Sequence, residues 1–122
     1  MEITSFNPMI VSAQADNVVE LFEGLGFEKT HEIGGIDGKD ITNFRMTDST
    51  GFHVDVAQVD SMERDMMIIR MNVDDFDEAY QLLLERGFRN SRGDGTVDTA
   101  SNKSALMISP TGFAFDLCQH IK

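Results

Sequence analysis

The sequence has a single cysteine, Cys118, so no disulfide can form within the chain. Basic residues are also scarce: 10 Lys and Arg against 21 Asp and Glu leave a formal charge of −11. A field of that sign repels phosphate backbones and anionic headgroups, which argues against nucleic-acid and membrane-surface binding and favours cationic ligands. The acidic residues are scattered rather than gathered in one block, and solubility is the plain reading of their excess. No apolar run approaches the roughly 18 residues that a membrane span needs. Met1-Glu2-Ile3-Thr4 lacks the basic and apolar stretches of a secretory signal, and a reducing cytoplasm is the expected location. Gly93 and Gly95 precede no strand-to-helix junction, so they do not form a phosphate loop.

What the chain does have is an internal repeat at a shift of 61 residues. Gly26-Phe27 returns as Gly87-Phe88, Thr50-Gly51-Phe52 as Thr111-Gly112-Phe113, Asp55 as Asp116 and Gln58 as Gln119. One spacing serving widely separated landmarks implies two copies of one supersecondary unit with almost no insertions. The 122 residues suit one domain, with repeats at about 1–60 and 62–122. A unit of about 60 residues buries only roughly 60% of its unfolded surface alone, so the halves are expected to complete each other's core or that of a second chain.

Within the first repeat, Met9 to Ala13 reads as a short strand and Asp16 as a helix N-cap. Val18, Leu21, Phe22 and Leu25 fall at helical spacing on one stripe, and Gly26 sits where a C′ glycine ends a helix. Strands are expected over Phe27 to Ile33, Ile41 to Thr47 and Phe52 to Val59, with turns at 34–38 and 48–51. After a polar linker from Asp60 to Asp65 the order recurs. Met66 to Val73 is a strand, about Asp75 to Arg86 a helix capped by Asp74 or Asp75, and three strands follow. Phe76, Ala79, Tyr80 and Leu83 form the buried stripe of that helix.

The closing strands distinguish two sheet faces. Phe52, Val54 and Val56 alternate with His53, Asp55 and Ala57, as Phe113, Phe115 and Leu117 do with Ala114, Asp116 and Cys118. The large apolar residues are expected under the helices, and the small and polar ones lining a concavity.

Tandem β-α-β-β-β units with Leu25-Gly26-Phe27 or Arg86-Gly87-Phe88 ending the helix, and Asp48-Ser49-Thr50-Gly51-Phe52 or Ser109-Pro110-Thr111-Gly112-Phe113 opening the last strand, resemble the vicinal oxygen chelate superfamily. That group holds glyoxalases, extradiol dioxygenases, thiol-transferring fosfomycin resistance enzymes and bleomycin-resistance binding proteins. The resemblance covers essentially the whole chain. It implies an α+β fold of two repeats forming cupped mixed sheets with helices on the outer face. It also implies metal ligands on the first and last strand of each repeat, where this sequence has Pro8, Ile69, Asp55 and Asp116. Pro8 and Ile69 offer no donor, and about three or four ligands are needed. The resemblance is therefore to members that lack the full ligand set.

The candidate site residues are His53, Asp55, Asp116, Arg45 and Cys118. His53 and Asp55 lie two apart on one strand and share a face, and with Asp116 they make an alternative His/Asp/Asp metal set or a pair of proton-shuttling carboxylates. Arg45, in the polar alternation Asn43, Arg45, Thr47, suits a ligand carboxylate or phosphate and otherwise reads as a solvated strand residue, and Arg89 and Arg92, flanking the polar loop of the second repeat, carry the same two readings. Cys118 can be drawn as a nucleophile with His53 or His120 as base, against the reading of a small buried hydrophobe. His31 and His120 read as peripheral. The eight Met residues suit core packing and a dimer seam, or an adaptable surface.

The expectation is a homodimer that binds or sequesters a small molecule in a sheet-lined cup, with no metal or other cofactor and no nucleic-acid or membrane partner. Against it stand a metal-dependent lyase, isomerase, thiol transferase or dioxygenase with a degenerate site, and a non-catalytic protein-interaction module.

Overall fold

The computed structural model describes residues 1–33, 43–93, 95–98 and 102–120. The expected turn at 34–38 lies outside them. The chain divides into two compact units: one is Asn7–Met67, and the other joins Met1–Phe6 to Ile68–Lys122.

The first unit holds most of β1 (Ile3–Ser12), then α1 (Ala15–Gly24), β2 (Glu28–Ile33), β3 (Asn43–Thr47) and β4 (His53–Gln58). Its strands are ordered β2-β3-β4-β1, with β1 and β4 parallel and the other pairs antiparallel. The second unit begins with the first residues of β1, followed by β5 (Met66–Val73), α2 (Phe76–Glu85), β6 (Arg89–Asn90), β7 (Val97–Asp98), β8 (Asn102–Ile108) and β9 (Ala114–His120). Its order is β1-β5-β9-β8-β6, with β7 also on β8 and β5 parallel to β9. Strands and helices thus combine as an α+β fold with mixed sheets. The two-residue strands β6 and β7 both pair with β8 where one strand was expected.

Each helix buries one stripe on its own strands. Ala15, Val18 and Val19 with partly buried Phe22 pack on Met46, Val54 and Val56. Phe76, Ala79 and Leu83 with partly buried Tyr80 pack with Met71, Val73, Ala105, Met107 and Leu117. The stripe of α1 therefore starts one turn earlier than expected, at Ala15, whose small side chain is a weak apolar signal, and Leu21 and Leu25 are 59% and 63% exposed on its flank. The cap of α1 is Gln14, not Asp16. The first amide needs no local cap, because Gln58 at the end of β4 accepts from Ala15 N–H at 2.9 Å and donates to Ala13 O at 2.7 Å. Gln119 does the same for α2, accepting from Phe76 N–H at 2.7 Å and donating to Asp74 O at 3.0 Å. Asp75 caps α2 through Glu78 N–H at 3.1 Å.

Both helices end alike. Gly26 and Gly87 adopt φ of +100° and +90°. The following phenylalanine amides reach back to Phe22 O at 2.9 Å and Leu83 O at 3.0 Å, and Gly26 and Gly87 N–H bond Glu23 O and Leu84 O, which is the Schellman pattern. Phe27 then packs edge-on to Phe22, ring centroids 5.2 Å apart.

Two further expectations need correction. β1 begins at Ile3 rather than Met9, since the strand runs through Asn7 and Pro8, residue types that ordinarily argue against a strand. Phe52 is 72% exposed instead of lying under the helix. It belongs to the preceding turn, where its N–H donates to Asp48 Oδ1 and its carbonyl accepts from Asp48 N–H, so turn geometry sets its direction. Phe113 is likewise exposed, with its ring against Phe88 and Phe115.

Candidate functional site

In the first unit the apolar side of β4 is spent on α1, which leaves His53, Asp55 and Ala57 on the other face. Asp55 is level with Met9 on β1 and Arg45 on β3, so all three share that face. Thr47 is level with His53 and Asn43 with Ala57. Asn7, two residues before Met9, shares that face.

The centre of the face is an ion pair. Arg45 Nε donates to Asp55 Oδ1 at 2.9 Å and Nη2 to Oδ2 at 3.1 Å, while Asn7 Nδ2 donates to the same Oδ2 at 3.2 Å. Asp55 is 2% exposed and the Arg45 side chain 30%. A planar guanidinium laid on both oxygens is the fork that Arg makes better than Lys. The Arg45 charge is thus engaged internally.

Around this pair, three buried polar atoms have no hydrogen-bond partner: Asn7 Oδ1, Asn43 Oδ1 and His53 Nε2. Such an atom ordinarily costs about 1–3 kcal/mol, so several on one face mark it as more than a packing surface. The roles of two are fixed by their neighbours. Asn7 Nδ2 donates to Pro8 O at 2.9 Å as well as to Asp55, so reversing the amide would set its oxygen against two acceptors. His53 Nδ1 faces Gly51 O at 3.4 Å, and a carbonyl only accepts, so in the neutral ring Nε2 presents a lone pair.

In the second unit, β9 carries Asp116 and Cys118. Arg70 on β5 is level with Asp116, and Asn72 and Ser104 flank Cys118. The buried Cys118 thiol points at Asp116 Oδ1, 3.4 Å away, and at Asp116 O, 3.6 Å away. Asn72 Nδ2 donates to Ser5 Oγ at 2.6 Å, and its Oδ1 is buried without a partner. Arg89, Arg92 and His120 are exposed, and the His31 backbone lies in β2 level with Arg45.

The metal implied by the fold was tested against these donors. Among the described residues no group of three or more His, Cys, Asp or Glu side chains is arranged to hold an ion. Both Asp55 oxygens already face a guanidinium, which occupies the electrostatic position a divalent ion would need. Pro8 is a neighbour without a donor side chain. The described residues do not fit a metal centre.

A groove of about 280 Å³ opens elsewhere in the first unit, lined in part by Gln14, Asn17, Met62, Glu63, Arg64 and Asp65. It has more volume than chemistry. Asn17 Nδ2 is satisfied by Gln14 Oε1 at 2.7 Å, and no unpartnered buried atom lies in the groove. The β4 face is the better candidate because its polar atoms are sequestered and unmatched.

Asn7 was not singled out from sequence. Its signal was the two-residue spacing to Met9, obscured once the strand was started at Met9 itself.

No protein-family model matches the sequence, and no curated protein does. Solved structures do. The chain is similar to a methylmalonyl-CoA epimerase from Mycobacterium tuberculosis, with TM-score 0.70 and 15% identity over 96% of this chain and 88% of that chain. It is similar to a glyoxalase/bleomycin resistance protein/dioxygenase superfamily member from Vibrio splendidus 12B01, with TM-score 0.64 and 17% identity over 97% and 99%. A mutant glyoxalase I from Zea mays aligns with TM-score 0.70 and 15% identity, covering 98% of this chain and 44% of that chain. Identities this low speak to fold alone, and the fold is that of the vicinal oxygen chelate proteins.

Proposed function

We propose that this protein is a single-domain homodimer that binds a small organic molecule on the β4 face of its first unit, around Asn7, Arg45, His53 and Asp55, without a metal. One observation carries the reading. Asp55, at a position where the family resemblance implies a metal ligand, is buried and paired with Arg45, and it is flanked by buried polar atoms with no hydrogen-bond partner among the described residues. A ligand donating to these atoms would satisfy them. The acceptor atoms supply orientation, the Arg45–Asp55 pair a rigid floor, and binding without turnover amounts to sequestration.

His53 favours a second reading. In its neutral form, with Nδ1–H toward Gly51 O, His53 presents a lone pair at Nε2, the arrangement of a general base. The solved neighbours include an epimerase and glyoxalase I by name, so proton transfer at a carbon acid is the chemistry to test beside simple binding.

The test is elemental analysis of the untagged protein, followed by a small-molecule screen by thermal shift. A ligand at about a hundredfold over its Kd adds roughly 2.7 kcal/mol, several degrees for a domain of this size. Metal-free protein stabilised by an organic ligand, with the shift reduced in His53→Phe, is the expected result. Stoichiometric bound metal lost in Asp55→Asn would overturn the reading.

A further inference from the structure

We infer that the group recognised on this face is a nitrogen carrying at least two N–H bonds, as in an amidine, a primary amine or a carboxamide. The inference rests on the binding reading above and adds the chemical class of the ligand.

It follows from the polarity of the unmatched atoms. Asn7 is 4% exposed, and its amide cannot turn over without opposing Pro8 O and Asp55 Oδ2, so the atom left over is an oxygen acceptor. His53 presents Nε2 as a second acceptor, because Nδ1 faces a backbone carbonyl. The two residues lie on neighbouring parallel strands, on the face that carries Asp55. Two unmatched acceptors on one face call for a ligand group with two donor directions. A carboxylate or phosphate brings only acceptors and would meet two lone pairs, under the field of a chain of charge −11.

The guanidinium does not reverse this. Arg45 suggests an anion from sequence, but its Nε and Nη2 are spent on Asp55, and the pair as a unit is neutral. Arg45 keeps further N–H donors beyond those two, but the buried atoms left unmatched, Asn7 Oδ1, Asn43 Oδ1 and His53 Nε2, are the ones a ligand donor would satisfy.

The experiment is a titration of the full-length, isotope-labelled protein with benzamidine, benzamide and benzoate, three probes of one shape and different donor content. The readouts are the Asn7 side-chain amide and His53 ring resonances. Benzamidine and benzamide are expected to shift both and benzoate neither. Binding should weaken about fivefold in His53→Phe, the worth of one hydrogen bond. Asn7→Leu should weaken it similarly, and His53→Phe serves alone if that variant does not fold. Benzoate shifting the same resonances as strongly as benzamidine would overturn the ligand class and leave the site standing. Donor probes that bind equally well to His53→Phe would also overturn the class. If no probe moves either residue, the site reading falls and this inference with it.

Discussion

Replacing Arg45 with methionine removes the cation from a buried carboxylate and keeps most of the aliphatic stem. Asp55 is 2% exposed and would keep only the Asn7 amide among the bonds described above, with its charge still sequestered. Breaking a fully buried pair from one side costs about 3–5 kcal/mol, and the 30% exposure of Arg45 puts this case at the low end, near 3 kcal/mol. At about 3–5 °C per kcal/mol, the melting temperature should fall by roughly 10 °C. Asp55→Asn should cost less, about 1–2 kcal/mol, because the orphaned guanidinium is near enough to solvent to hydrate. The double variant should recover part of the sum, with a coupling of about 2 kcal/mol. Urea unfolding of the four proteins at pH 7 measures all three quantities. Arg45→Met costing under about 1 kcal/mol, or a coupling near zero, would refute the claim that the face is built around this pair.

Gln58→Ala and Gln119→Ala should each cost about 1–2 kcal/mol, since each strands a helix's first amide, and hydrogen exchange should quicken in α1 for the first and α2 for the second. Gly26→Ala and Gly87→Ala both force an L residue to positive φ, at about 1–2 kcal/mol, but a Cβ on Gly87 would also lie 3.0 Å from Pro110 Cγ, so denaturant midpoints should rank Gly87→Ala as the worse. Burial pushes the Asp48 carboxyl up, but the hydrogen bonds from Thr50 Oγ1 and the amides of Thr50, Phe52 and Gly51 outweigh it and hold it below its ordinary 3.8. A carboxyl lowered on folding stabilises above its unfolded value, so the advantage of wild type over Asp48→Ala should be full above pH 5 and shrink as pH drops through 3.8 and below. A difference that grew on acidification would contradict the turn's bonding.

The fold was readable because its signals are local or strictly repeated. Gly26 and Gly87 stop helices by a conformation that glycine adopts without a steric penalty, and the alternation along β4 and β9 divides the faces from Val54 and Leu117 alone. The errors came where a distant group took over a local task. Asp16 looked like a cap because nothing nearby announced that Gln58, more than forty residues away, would serve the first amide of α1. Gln58 and Gln119 did stand out as a repeated pair, and their repetition has this structural cause. The candidate site was half visible. His53, Asp55 and Arg45 follow from strand period, but that Arg45 and Asp55 are partners depends on the register of β3 against β4, which no single strand encodes.

That register bears on how the sheet balances the charge of Asp55. A carboxylate facing a polar concavity needs a countercharge, and in the absence of an ion the sheet must supply one or neutralise the acid. Arg45 is the residue directly across from Asp55, so a single arginine on the next strand completes the charge balance with two hydrogen bonds and no change of backbone. The result is a fixed floor in which both Asp55 oxygens face the guanidinium. What the face retains are the acceptors at its rim, Asn7 Oδ1 and His53 Nε2, which orient a donor and, in the case of His53, can receive a proton. An arrangement of that kind suits recognition or proton transfer, and the Arg45→Met variant separates the two uses: it removes the floor while leaving the His53 lone pair untouched.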